Sequence, residues 1–567
     1  MSDTSATNTQ SQSDVTPPRM LTAQRPLAIL FSAIGLGFAF DRLFYGHLPG
    51  ISVVLFFALY AAVFAFVAVR NRTTIRFENL WPLPVILFFA AMVAIRENEF
   101  LTVVNVLAVF SGLLFLPFYV AAGSFARITL PGGALIPVRV GASALVQLGN
   151  FWPQVRAAGA GSEPGGSTFT RVFAHWGGVF RGLLLSLPIL LVFGALLASA
   201  DQIFAETLGK IFSLDVIDLL LSAIGSTLRV TILAWLAGGA LVYAFLCRPT
   251  HGEKTEFESE LDGLADSLRI GFVESTTVLA LVNVLFGAFV AIQLGYLFGG
   301  GEYISTAQDF TYADYARSGF FELVITAVLS LFFVVIVQRM SRRTGAGQNR
   351  WFNALGSLLL AFVMVMLVSA YRRMALYEAT YGYTELRLLV YVFIAWLAVL
   401  LVWMIGALWL RPERATLGMV VAALGFLTTL NLLNPDAFIV RRNVERHLSL
   451  QNHQQLPEQS PAHETVAAAP PSEGRSNNET RGSFFREDIA LDLGYLRELS
   501  NDAVPELLRA RDRLKQDPDA VARLNEILAE RGRQITDQRK KYADWQSWHY
   551  GRARSYELLQ TTANHRP

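Results

Sequence analysis

Residues 387–410 read RLLVYVFIAWLAVLLVWMIGALWL, and the only charge in the run is Arg387 at its start. Crossing the hydrocarbon of a bilayer takes roughly 20 apolar residues in a helix. A surface helix of a soluble domain needs a polar face, which this run lacks. It therefore predicts a membrane-spanning helix. Working outward, similar runs recur at 26–44, 51–69, 80–95, 100–122, 182–200, 224–247, 275–298, 319–338, 352–370 and 415–433. The run at 26–44 reaches Asp41 and Arg42 before it ends, and 80–95 is short and opens on Pro82 and Pro84. The expected fold is all-α, a polytopic transmembrane helix bundle of about 11 spans with a small C-terminal soluble helical module.

Composition agrees. Of 567 residues 53% are hydrophobic and only 16% charged, with a mean hydropathy of +0.40. Soluble domains carry nearer a quarter charged residues, so an ordinary soluble enzyme is excluded. The net charge of +2 gives no footprint for nucleic acid, and with Cys247 the sole cysteine no intramolecular disulfide can form. Residues 1–25 read as a disordered tail without the basic, apolar and small-residue segments of a signal peptide. Residues 26–433 are the membrane domain, 434–484 a disordered linker whose polar, proline-bearing part is 448–484, and 485–567 the helical module. From 434 to the end there are 20 basic and 20 acidic residues, which argues against a pull toward nucleic acid or anionic lipid. Within the module Asp502 is expected to N-cap a helix with Pro505 in its first turn. Val504, Leu507, Leu508 and Leu514 would line one face, and Val521, Leu524, Ile527 and Leu528 the face of a second helix. Trp545, Trp548 and Tyr556 are read as that module's core, with interface hot spots as the alternative.

Arginine placement gives the orientation. With the N-terminus inside, the inner segments hold 19 basic residues and the outer ones eight. The positive-inside rule then puts the N-terminus in the cytoplasm of a bacterium, and an odd span count puts the module in the periplasm. The protein is thus expected in the bacterial inner membrane. Two loops are amphipathic: 253–268, an acidic helix read as an elbow under the bundle, and 203–213, an interfacial helix.

Several stretches carry a resemblance. LLASADQIFA (196–205), FTYADYARSGFFEL (310–323), AYRRMALYEATYGYTELR (370–387), NLLNPDAFIVRRNVER (431–446) and LDLGYLRELSNDAVPEL (491–507) occur in this order. Together they resemble the bacterial multi-pass membrane family called domain of unknown function 4173, related to family 4153. The resemblance implies a polytopic inner-membrane protein with an external C-terminal helical region. It implies no catalytic residues. The long linker departs from the family and reads as an external insertion.

Phosphate-loop, zinc-protease, nucleophile-elbow and dinucleotide motifs are absent from the sequence, as is CxxC. No two of the eight histidines have metal-ligand spacing, so neither metal nor cofactor is expected. The candidate site is an outer-face cluster: Asp314, Tyr315, Arg317 and Glu322 from one segment, with Arg372, Arg373, Tyr377, Glu378, Tyr381, Glu385 and Arg387 from another. Ionisable groups at a membrane are costly and tend to be paired or functional. Arg372 and Arg373 are suited to gripping a phosphate or carboxylate, and the tyrosines to stacking on a sugar or lipid headgroup. The competing reading is that Tyr and Arg at span ends are interfacial anchors. Asn105, Asn283, Gln293 and Asn431 lie within spans and either line a solute path or bond helix to helix. The leading expectation is a cell-envelope sensor or assembly component. A transporter or lipid flippase and an envelope transferase acting on a lipid-linked substrate are the alternatives. Expected partners are the lipid bilayer, envelope proteins or an anionic or lipid-linked ligand, and no nucleic acid.

Overall fold

Wherever an apolar run falls on described residues it is a helix. The computed structural model describes residues 23–73, 79–122, 151–157, 214–246, 270–298, 320–455, 491–541 and 543–564. The membrane domain comprises α1 (Pro26–Phe44), α2 (Ile51–Arg70), α3 (Pro82–Ile95), α4 (Glu99–Ala122), α5 (Leu214–Leu246), α6 (Phe272–Phe298), α7 (Phe320–Met340), α8 (Ala346–Tyr381), α9 (Glu385–Leu410) and α10 (Ala415–Leu433). Beyond it lie α11 (Pro435–Gln455), α12 (Leu493–Glu498), α13 (Val504–Arg513), α14 (Pro518–Lys541) and α15 (Tyr550–Asn564). Among the described residues nine helices are long and apolar enough to span a membrane, and α3 is a shorter apolar one. The protein is an all-α polytopic membrane protein. The span expected at 182–200 and the amphipathic loops at 203–213 and 253–268 lie outside the described residues.

The bundle has two halves. In the first, α1 packs on α5, α2 on α1 and α3, and α3 and α5 on α4. Its core includes Ile29, Phe57, Phe89 and Leu241. In the second, α6 and α7 both lean on α8, α8 on α9 and α9 on α10, around Leu279, Leu331, Leu359 and Leu401. The halves join where α10 meets α4. There Asn105 and Asn431, both with no exposed surface, exchange two hydrogen bonds of 2.8 Å. Each satisfies the other's amide, which in an apolar interior is worth about 1 kcal/mol or less per bond but would be expensive to leave unmade. Asn283 likewise donates to Leu279 O in its own helix and to Leu355 O of α8. Within the first half α5 runs antiparallel to α1. Gly37 permits the approach, since a Cβ there would lie 2.6 Å from Val230 O, and Asp41 accepts from Arg229 Nε and Ser226 Oγ, both at 2.7 Å.

The α9–α10 hairpin is closed by indole rings on glycines. Trp396 covers Gly425 and Trp403 covers Gly418, a seven-residue step on each antiparallel helix. Their N–H groups donate to Thr429 Oγ1 at 3.0 Å and Arg414 O at 3.1 Å.

The turns at 45–50, 96–98 and 382–384 share one end of the bundle with the start of α11, and the module sits on that end. Residues 341–345 and 411–414 turn at the other end. The expectation of a linker beginning at 434 is corrected here. Asn434, at φ +53°, ends α10, and Pro435 opens α11 directly, with Ile439, Val440 and Val444 buried in the module's core. The stretch reads as polar because only one face is apolar, and that face is covered by α13. Two further expectations change. Asp502 does not cap a helix; Ser500 Oγ accepts the Asp502 N–H at 3.2 Å and opens a 3-10 turn before α13. Trp545 and Trp548 are 59% and 47% exposed, so they are no core, while Tyr556 is half-buried beneath the Arg539 guanidinium. The core is instead aliphatic: Leu496, Val504, Leu507, Leu514, Leu524 and Leu528.

Gly425→Leu is expected to displace the Trp396 ring and destabilise the purified protein by about 1–3 kcal/mol, the usual cost of overpacking. Thermal unfolding in detergent reads it. Adding Trp396→Ala should recover part of the loss, because the clash is then gone; a double variant no better than the single one contradicts the packing account.

Candidate functional site

The predicted cluster separates into three places. Asp314, Tyr315 and Arg317 lie outside the described residues. Glu322 from the first turn of α7 and Arg373 from α8 line one crevice with Gln293 of α6. Arg372, one residue and thus about 100° away on the same helix, is exposed and does not line it. The pair of adjacent arginines is therefore not a clamp.

Tyr377, Glu378, Tyr381 and Arg387 gather instead at the α8–α9 turn. The Arg387 guanidinium lies 4.4 Å from the Tyr377 ring centre and 5.7 Å from that of Tyr381, and donates to Gly382 O. Gly382 takes φ +74°, a conformation that disfavours any side chain, and closes α8. Asn443 of α11 clamps the next residue by accepting the Tyr383 N–H at 2.7 Å and donating to Tyr383 O at 2.9 Å. Arg446 of α11 donates to Ala379 O at 3.0 Å. Burial, and then the negative Glu378 beside it, hold the Tyr383 hydroxyl above the usual phenol range. These groups fasten the hairpin to α11; cations stacked on rings at a span end are anchors as much as ligand donors.

Glu385 belongs to the third place, the junction between bundle and module, which sequence reasoning missed. The turn Arg96-Glu97-Asn98 between α3 and α4 is its centre. Asn98 Nδ2 donates to Glu385 Oε1 at 3.0 Å and to Asp436 Oδ1 at 3.3 Å. Asp436, 1% exposed, accepts the Ser500 N–H at 3.2 Å and the Ser500 hydroxyl. Asp502 Oδ2 accepts the Glu97 N–H at 2.9 Å, and Glu97 Oε1 pairs with Arg552 Nε at 3.1 Å. His549 Nε2 donates to Arg96 O at 2.9 Å, and Arg96 Nε to Asn431 O at 2.8 Å. Tyr495 accepts the Glu385 N–H through its hydroxyl at 2.7 Å. Alongside, Ser547 Oγ accepts the Leu48 N–H at 3.0 Å and Trp548 O the Ile51 N–H at 2.9 Å. Gly50 and Gly551 let the backbones meet, since a Cβ would sit 2.4 Å from Trp548 O and 2.5 Å from Asp502 Oδ1 respectively. The signal available in the sequence was RENE at 96–99, polar residues compressed between two apolar runs.

The junction is electrostatically unusual. Burial pushes the Asp502 carboxyl up to about 7, against the Glu97 N–H and Arg96 that favour its charge, and Asp436 and Glu97 push the same way as burial. Burial keeps His549 below its ordinary value, hence neutral near pH 7. Among the described residues no group of His, Cys, Asp and Glu is arranged to hold a metal ion.

A raised carboxyl pKa means the docked state binds the proton more tightly. The Asp502 contribution is fully present below its ordinary value of 3.8 and is lost as pH rises through about 7. His549 works oppositely, contributing above its ordinary 6.5 and losing as pH falls. Asp502→Asn, which mimics the protonated acid, is therefore expected to protect the module's amides more than wild type at about pH 8 and equally at about pH 4. Hydrogen exchange of α13 and α15 measures this; a variant no better protected at the higher pH contradicts it.

The sequence pattern of the family described as Domain of unknown function (DUF4153) matches residues 83–510. No curated protein and no solved structure matches the chain. The match begins in α3 and ends inside α13, so it takes in the membrane bundle from α3 onward, without α1 and α2, and the first part of the docked module. It is family 4153, related to the family 4173 that the sequence resembles, which the match establishes. The chain belongs to the DUF4153 family of proteins with a domain of unknown function.

Proposed function

We propose that this membrane protein is a sensor or assembly component of the bacterial cell envelope. Its N-terminus is cytoplasmic, and its helical module is presented in the periplasm as the contact point for another envelope protein. The observation that carries this reading is the junction. One compact module is hydrogen-bonded to α1–α2, α3–α4 and α9 at once, so a force or ligand acting on the module acts on both halves of the bundle. The positive-inside count supports the orientation. Exposed Trp545 and Trp548 beside the docking seam are the residue type that anchors protein interfaces.

The test is made in intact cells. A photo-crosslinking amino acid placed at Trp545 or Trp548 is expected to capture one discrete protein. Arg552→Gln, which leaves the partly buried Glu97 without its cation, is expected to reduce that capture, since truncating one partner of a hydrogen-bonded, largely desolvated pair costs on the order of 2 kcal/mol. Fusions of periplasm-active and cytoplasm-active reporters after residue 567 fix the side. Cytoplasmic activity, or crosslinks to lipid only, would overturn the reading.

A further inference from the structure

α6 and α7 are tied at the end away from the module. Ile270 N–H donates to Met340 O at 3.1 Å, Arg342 N–H donates to Ile270 O at 3.0 Å, and the Ser275 and Ser341 hydroxyls meet at 2.7 Å. Toward the module end a cavity of about 430 Å³ opens between the two helices, with α8 as its floor. Its lining is graded along the membrane normal. Phe286, Phe289 and Met366 line the deeper part, while Gln293, Glu322 and Arg373 lie nearer the helix ends at the module's end of the bundle. From Phe286 to Gln293, and from Met366 to Arg373, the helices climb about 10 Å at 1.5 Å per residue. That fits within the roughly 15 Å of hydrocarbon in one leaflet. Phe289 is also exposed on the outer surface of the bundle, so the crevice opens sideways to lipid.

We propose that this crevice binds one aminophospholipid of that leaflet. An acyl chain lies against Phe286, Phe289 and Met366. The phosphate meets the Arg373 guanidinium, a planar donor suited to phosphate oxygens, and the headgroup ammonium meets the Glu322 carboxylate and the Gln293 side-chain carbonyl. The opposite charges at the mouth select this class. A zwitterion presents one charge of each sign, whereas an anionic lipid without an amine leaves Glu322 facing like charge. A choline headgroup has no N–H to donate to Glu322. A free phosphate would occupy the mouth and leave the apolar depth of the crevice without contact. The site goes beyond the proposed role of the module and does not depend on it.

The test uses the full chain purified in detergent and titrated with phosphatidylethanolamine, phosphatidylcholine and phosphatidylglycerol, with lipid retention read by native mass spectrometry. Wild type is expected to keep one phosphatidylethanolamine in preference to the other two lipids by about tenfold, a difference of about 1.4 kcal/mol. Glu322→Gln, an isosteric change at an exposed position, should erase the preference over phosphatidylcholine while leaving binding intact. Arg373→Gln should reduce retention of every lipid, with an unchanged unfolding temperature showing that the bundle is whole; if it unfolds, Glu322→Gln decides alone. Equal retention of the three lipids by wild type, an unaltered preference in Glu322→Gln, or displacement of the lipid by inorganic phosphate would each overturn the assignment.

Discussion

Three residues turn the chain between α3 and α4, and the part of the molecule outside the bundle depends on how Arg96, Glu97 and Asn98 are satisfied. A turn this short at the mouth of two apolar helices leaves backbone groups that helix formation cannot pair. In isolation water would serve them. Here the module replaces water: Asp502 takes the Glu97 amide, His549 the Arg96 carbonyl, and Arg552 the Glu97 carboxylate. Desolvating so many polar groups is costly unless each finds a partner, so the seam tolerates little displacement. It behaves as a keyed joint more than as an adhesive one.

The same logic runs inward. Arg96 reaches Asn431, and Asn431 pairs with Asn105, so one continuous set of hydrogen bonds leads from the module's face into the apolar middle where the two half-bundles meet. The apolar cores of the halves are separate clusters. Lipid tails are as apolar as leucine, so burial in a membrane does little to hold one half against the other. Amide pairs and glycine-to-indole contacts such as Gly425 with Trp396 then carry an unusual share of the specificity.

The spans were legible because the requirement that writes them, an unbroken apolar run, is one-dimensional. The helices on described residues fall where the runs do, with most ends agreeing closely, but α5 begins at Leu214, well before its run at 224, and α8 extends from Ala346 to Tyr381, beyond both ends of its run at 352–370. What failed needed the third dimension. Residues 435–455 look like linker, since Ile439, Val440 and Val444 are scattered among arginines and only packing shows them on one face. Three aromatics in a small helical unit read as its core, yet Trp545 and Trp548 are exposed and the buried cluster is built from aliphatic residues such as Leu524 and Leu528. Nearness in sequence groups the outer-face residues into one cluster, and the fold does not keep it. Helical geometry sends Arg373 to the α6–α7 crevice, Arg387 to the Tyr377 ring and Glu385 to Asn98. The junction stayed hidden because its donors and acceptors are hundreds of positions apart, as with Glu97 and Arg552, and carry no local signature.

The one-residue joint at Asn434 sets an order of assembly. α11 contributes Ile439, Val440 and Val444 to the module's core, yet it hangs from the last span with no slack. α12 through α15 therefore lack a wall of their core until α10 is threaded and its end emerges on the module's side of the bilayer. During biosynthesis the completed module would be a receipt for a correctly inserted bundle, and chains with a misplaced final span would present an unfinished, protease-sensitive tail.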